Sequence, residues 1–136
     1  MFPTNGVVGL TVLRVIVAII FLVHGYQKFF LLGLGNTGTF FGSVGIPLPQ
    51  EAALLVAALE ILGGLLILLG VLTRLMAFLL IFDPLVAMFT VHLPKGFFAS
   101  DGGYEFVLLL VMCCVVLVIS GPGRYALLDR PALAQS

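Results

Sequence analysis

From Ala52 to Leu93 the chain is almost unbroken hydrocarbon, its only ionisable residues being Glu60, Arg74, Asp83 and His92. A run of that length is about twice what one helix needs to cross a bilayer. A break falls naturally at Gly70-Val71-Leu72-Thr73-Arg74, which supplies a glycine and a charge. Two spans are therefore expected, from about Glu51 to Leu72 and from about Arg74 to Leu93. A third apolar stretch precedes them, Val7 to Phe30, and a fourth follows, Tyr104 to Ser120.

Composition confirms that lipid is the solvent. The chain is 136 residues long, 62% hydrophobic and only 9% charged, against about 25% charged in a soluble domain. A domain this small leaves much of its surface outside the core, so water cannot be the medium around so many apolar side chains. The expected fold is all-α: an integral membrane four-helix transmembrane bundle, one domain over residues 1–136. Formal net charge is zero, which leaves nucleic acid a poor partner. The lipid bilayer is the first partner. The N-terminal stretch reads as a retained span, because it is long, contains Arg14 and lacks a small-residue cleavage site.

The connections carry punctuation. Gly33 to Gly45, ending in Ile46-Pro47-Leu48-Pro49, is a loop whose apolar residues suit a short helix on the bilayer surface. Pro94-Lys95-Gly96 ends the third span and Gly121-Pro122-Gly123 the fourth. With four crossings both termini share a side. That side holds Arg74, Arg124 and Arg130, with Arg14 nearest it, whereas Lys28 and Lys95 lie at the other. The positive-inside rule then places both termini in the cytoplasm.

Chemistry within the spans falls to few residues. Charges near the bilayer centre cost about 2.5–3.5 kcal/mol on insertion scales and are usually paired or functional. At about 1.5 Å rise per residue, Arg14 lies about 10 Å from the cytoplasmic end, Asp83 about 14 Å and Glu60 about 18 Å. These form a candidate buried charge cluster, in which contact between at least two members is expected. One arginine can grip one carboxylate bidentately, and a second carboxylate leaves a site that can handle a proton. The competing reading is a cluster that only sets helix packing.

A second polar band lies further out. His24, His92 and Glu105 fall at about 24–27 Å, with Lys28 and Lys95 just beyond. His24 and Lys28 share a helix face at i,i+4 spacing. Imidazole can donate, accept or carry a proton near neutral pH, so His24, Lys28, His92 and Glu105 form a candidate quinone site, with His24 and Glu105 expected to face each other. The plainer reading is interfacial residues wetted by water and headgroups. Bis-histidine haem ligation is disfavoured, because His92 falls on the opposite face of a straight helix from Asp83. Pro84 could relax this by kinking the helix. No metal site is expected, for want of a compact ligand set. Cys113 and Cys114 adjoin one another in an apolar run and read as small buried hydrophobes. Glu60, Gly63, Gly64 and Gly70 form a small-residue strip for close helix packing.

The ordered set of these features resembles the DoxX family of small four-helix membrane proteins. In the first span it rests on Arg14, Phe21, His24-Gly25 and Lys28. It continues through Gly45-Ile46-Pro47, Glu60-Ile61-Leu62-Gly63-Gly64 and Gly70-Val71-Leu72-Thr73-Arg74. His92, Gly102-Gly103-Tyr104-Glu105 and the tail from Gly121-Pro122-Gly123 to Asp129 complete it. The resemblance implies links to thiosulfate:quinone oxidoreductase, to quinol oxidase preparations, and to a mycobacterial membrane complex joining a sulfurtransferase with superoxide dismutase. It also looks like the minimal form, without the extracytoplasmic domain of some thiosulfate-oxidising relatives. The expected function is a quinone-linked redox subunit of a bacterial-type cytoplasmic membrane, acting with redox or sulfur-metabolism proteins. The rival expectations are a non-catalytic anchor or assembly factor and a small transporter, the last requiring a homo-oligomer.

Overall fold

The computed structural model describes residues 5–129; Arg130, counted above in the charge bias, lies outside them. The elements run α1 (Gly6–Tyr26), a π-helical turn (Gln27–Leu31), α2 (Leu34–Ser43), α3 (Pro49–Leu69), α4 (Thr73–Ala87), a second π-helical turn (Met88–His92) and α5 (Glu105–Ser120). Short 3₁₀ turns at Leu93–Lys95 and Ala99–Asp101 join α4 to α5. No strand occurs among the described residues.

Three helical stretches, Gly6–Leu31, Pro49–Leu69 and Thr73–Lys95, are long and apolar enough to cross a membrane. The fourth, α5, has 16 residues. At 1.5 Å each it spans about 24 Å, somewhat short of a hydrocarbon core of about 30 Å. The outer faces carry Val12, Ile16, Ile19 and Val23 on α1, Leu54, Leu62 and Leu65 on α3, and Leu109, Met112 and Ile119 on α5, all exposed. Such a belt is stable only against lipid, and the chain is an all-α membrane helical bundle.

The core is a seam of Val17, Ala18 and Phe21 from α1, Ile67 from α3, Met76, Ala77 and Leu80 from α4, and Leu110, Cys114 and Leu117 from α5. Cys114 is fully buried and Cys113 half-buried, both as free thiols, so they pack as expected. The glycine strip works on two sides of α3. A Cβ at Gly64 would sit 3.2 Å from the Ala18 carbonyl on α1, and one at Gly63 would sit 3.0 Å from Leu80 on α4. Gly25 supplies the matching gap on α1, where a Cβ would lie 2.6 Å from Ile61 and 3.1 Å from the Glu60 Cβ. Without side chains at these points α1 and α3 approach closely.

The break predicted after Gly70 is present. Gly70 takes a left-handed conformation, φ 71°, and ends α3. The residues after α5 fold back onto this turn. The Leu127 amide donates to the Leu69 carbonyl at 2.9 Å, and the Asp129 amide to the Gly70 carbonyl at 3.1 Å. The Asp129 carboxylate accepts from the amides of Leu72 (3.0 Å) and Thr73 (2.8 Å), capping the start of α4. The Arg124 amide donates to Thr11 Oγ1 at 2.7 Å. The start of α1, the α3–α4 turn and the tail thus meet at one end of the bundle. The α1–α3 connection with α2, and the α4–α5 connection, form the other.

Candidate functional site

The two predicted polar bands are not what the structure assembles. Arg14 is buried at 2% exposure but grips the tail. Its Nη1 donates to the carbonyls of Pro122 (2.7 Å) and Arg124 (3.0 Å), and its Nη2 to that of Tyr125 (3.2 Å). Its expected membership of a cluster with Glu60 and Asp83 is therefore corrected. The cause is side-chain direction: helical side chains lean toward their own N-terminus, which for α1 is the tail end. Guanidinium hydrogen bonds to backbone carbonyls close the peptide groups that Gly121-Pro122-Gly123 leaves without helical partners.

The same lean brings Lys28 inward. Its Nζ donates to both oxygens of Glu60 at 3.0 Å each, the one ion pair among the described residues. α3 runs the other way, so the Glu60 side chain leans outward to meet it. Gly25, one turn before Lys28, provides the close approach that the pair needs. Glu60 is 2% exposed and Lys28 14%, so the pair is largely withdrawn from solvent. Asp83 neighbours the Glu60 carboxyl. Two members of the predicted inner cluster thus do lie together, with Lys28 as their cation in place of Arg14.

Around this group lies a chamber of about 580 Å³, within the range of small-molecule sites, about 300–1,000 Å³. His24, Lys28, Glu60, Asp83 and His92 all reach its wall. The rest is largely apolar: Phe21, Phe40, Phe41, Phe106 and Leu110 among others. α2, expected to lie on the bilayer surface, contributes Asn36, Thr37, Phe40 and Phe41 to that wall. A smaller cavity of about 270 Å³ adjoins it, sharing Phe40, Phe41, Asp83, Ala87 and Val91 and bounded outward by Leu55, Phe82 and Val86. These last three are exposed, on the apolar outer surface of the bundle.

His92 reaches the same chamber as Asp83, against the expectation from a straight helix. The helix is not straight in register. Pro84 removes one backbone donor, and the turn Met88–His92 is π-helical. The wider turn lowers the rotation per residue, which brings His92 round toward the chamber that Asp83 also lines. Lys28 likewise sits in a π-helical turn, Gln27–Leu31. No residue pattern here distinguishes a π turn from an α turn, so the sequence carried no signal for either.

Both imidazoles are anchored through Nδ1. His24 Nδ1 lies 2.8 Å from the Ile20 carbonyl and His92 Nδ1 2.7 Å from the Gly102 carbonyl. The His24 ring stacks near Phe106, centroids 6.4 Å apart. Phe106 thus occupies the position across from His24 where Glu105 was expected. Glu105 starts α5, its amide donating to the Phe97 carbonyl at 3.0 Å, and it is not part of the chamber wall. Its carboxylate at a helix start is favoured by the helix dipole. Among the described residues no group of three or more His, Cys, Asp or Glu could hold a metal ion. Gln27 and Asn36 are chamber residues that the sequence reading did not single out. They are uncharged, and only the tertiary arrangement separates them from loop polarity.

Comparison with known proteins agrees with this architecture. The chain is 39% identical over 122 residues to the putative oxidoreductase CatD of Bacillus subtilis, covering 90% of this chain and 85% of that one. It is 35% identical to the uncharacterized membrane protein Rv3486 of Mycobacterium tuberculosis, covering 87% and 77%. It is 29% identical to the inner membrane protein YphA of Escherichia coli, covering 89% and 88%. No solved structure matches. The DoxX family model matches residues 9–93, a stretch that holds most of α1, all of α2 to α4 and every charged residue of the chamber, and the chain belongs to the DoxX family.

Proposed function

We propose that this DoxX protein is a quinone-linked redox subunit of the cytoplasmic membrane, working with partner proteins that supply or accept electrons. One observation carries the reading: a chamber between the apolar helices in which two imidazoles, a Lys–Glu pair and a second carboxyl converge inside mainly apolar walls. A quinone needs that combination. Its ring and tail favour apolar surface, and its two oxygens need hydrogen-bond partners. Lys28 spends two of its N–H groups on Glu60 and has a third for a ligand oxygen. The lateral cavity offers a way in from lipid without passing through water. The oxidoreductase name of the Bacillus relative points the same way.

Orientation belongs to the same proposal. The chain crosses four times, with its tail end, which holds Arg14, Arg74 and Arg124, in the cytoplasm. Reporter fusions after Gly45 and after Ser136 should report opposite sides. Agreement between them would overturn the four-crossing topology.

The test of function is the quinone content of purified protein after solvent extraction. Wild type should carry quinone in near-stoichiometric amount, and His24→Ala and Lys28→Met should lose most of it. Wild type free of quinone, with a soluble enzyme co-purifying instead, would replace this reading with that of a membrane anchor.

A further inference from the structure

The hydrogen-bond state of the two histidines narrows the ligand. A carbonyl oxygen can only accept, so a nitrogen 2.7–2.8 Å from one must carry the proton. His24 donates Nδ1–H to Ile20 and His92 donates Nδ1–H to Gly102. In a neutral ring the other nitrogen, Nε2, then has a bare lone pair and can only accept. Neither Nε2 has a hydrogen-bond partner among the described residues, and neither is a fully enclosed atom. Both rings reach the chamber wall.

The other polar groups lean the same way. Asn36 Nδ2 donates to the Leu32 carbonyl at 2.9 Å and the Thr37 hydroxyl to the Gly33 carbonyl at 2.9 Å. The Thr37 donor is committed and Asn36 keeps one N–H, while the amide and hydroxyl oxygens can still accept. The uncommitted donors on the wall are the Gln27 amide, the second N–H of Asn36 and the third proton of Lys28. Acceptors therefore outnumber free donors on the wall, and both imidazoles present acceptors.

We infer that the chamber selects the hydroxyl-bearing form of its ligand, a hydroquinone, over the corresponding quinone, with His24 Nε2 and His92 Nε2 receiving the hydroxyl hydrogens. The inference rests on the quinone-site reading above and adds the redox form. A quinone oxygen facing Nε2 sets lone pair against lone pair. A phenolic hydroxyl donates to Nε2 and still accepts from Lys28 or Gln27. Two hydrogen bonds made by the hydroquinone alone should favour it by roughly tenfold or more.

The experiment uses the full chain in lipid nanodiscs under anaerobic conditions. Three probes share one ring and one short alkyl tail: a decyl benzoquinone, its hydroquinone, and the dimethyl ether of that hydroquinone. The hydroquinone should bind at least tenfold tighter than the quinone, and the ether should lose that advantage. His24→Phe should cut the preference several-fold, the hydroquinone losing more affinity than the quinone. A second measurement needs no variant: ¹⁵N resonances of the ligand-free wild type should show both Nε2 atoms as unprotonated acceptors. Protonated Nε2 on either ring, or equal or tighter binding of the quinone, overturns the inference and leaves the quinone site standing. Failure of both redox forms to bind overturns both.

Discussion

Two cations of the first span meet opposite fates. Arg14 belongs to the face of α1 that carries Val17, Ala18, Phe21 and Gly25 inward, and Lys28 follows in the π-helical turn that continues it. Arg14 ends among three backbone carbonyls of the tail. Lys28 ends on a carboxylate beside a chamber that can hold a ligand. Arginine suits the first place because its planar fork can satisfy several oxygens at once. Lysine suits the second because an ammonium is a compact point charge with a proton to spare. One cluster is a clasp and the other is the candidate site. The difference shows that charge buried in a membrane protein is not by itself a sign of chemistry; what it touches decides.

The sharpest way to break this contrast is to remove each cation. Arg14→Leu strips the hydrogen bonds from Pro122, Arg124 and Tyr125 together. It should cost about 3 kcal/mol or more, since bonds to charged groups are the stronger class. Thermal unfolding in detergent reads this out, and the protein that remains folded should keep the quinone proposed for the chamber. Loss of quinone from folded Arg14→Leu would erase the distinction between clasp and site.

Lys28→Met leaves Glu60 buried without its counterion, a change that costs about 3 kcal/mol when a pair loses one partner. Adding Glu60→Gln should recover much of that stability but not the quinone. The same Glu60→Gln combined with Arg14→Leu should be additive within about 0.5 kcal/mol, because the two sites share no partner. Coupling between Arg14 and Glu60 would restore the single inner cluster.

Asp129→Ala removes the acceptor for the Leu72 and Thr73 amides. A lost helix cap costs about 1 kcal/mol, so the unfolding midpoint should fall modestly, with quinone content unchanged. The smallest effect belongs to Glu105→Gln. Glu105 is absent from the chamber wall, so quinone content should match wild type and stability should shift by no more than about 0.5 kcal/mol. A Glu105→Gln protein that loses its quinone would place the site further out than the chamber.

Much of this molecule was legible in its residues. Apolar runs long enough for lipid, cut by Gly-Pro and Gly-Arg punctuation, determined an all-α membrane bundle, its helix order and the turn at Gly70. Hydropathy is a sum over many residues, so it survives ignorance of tertiary contacts. The chemistry-bearing positions His24, Lys28, Glu60, Asp83 and His92 were also visible, because ionisable groups within apolar spans are conspicuous. Their grouping was not. Counting depth by Cα put Arg14 with Glu60 and separated Glu60 from Lys28. The real partners are chosen by side chains that lean toward each helix's own N-terminus, inward on α1 and outward on α3. Two further decisions were tertiary. π-helical turns at Gln27–Leu31 and Met88–His92 reset which face each later residue occupies, and an ideal 100° step cannot anticipate that. The Arg14 clasp depends on backbone carbonyls, which every residue carries and no sequence pattern marks.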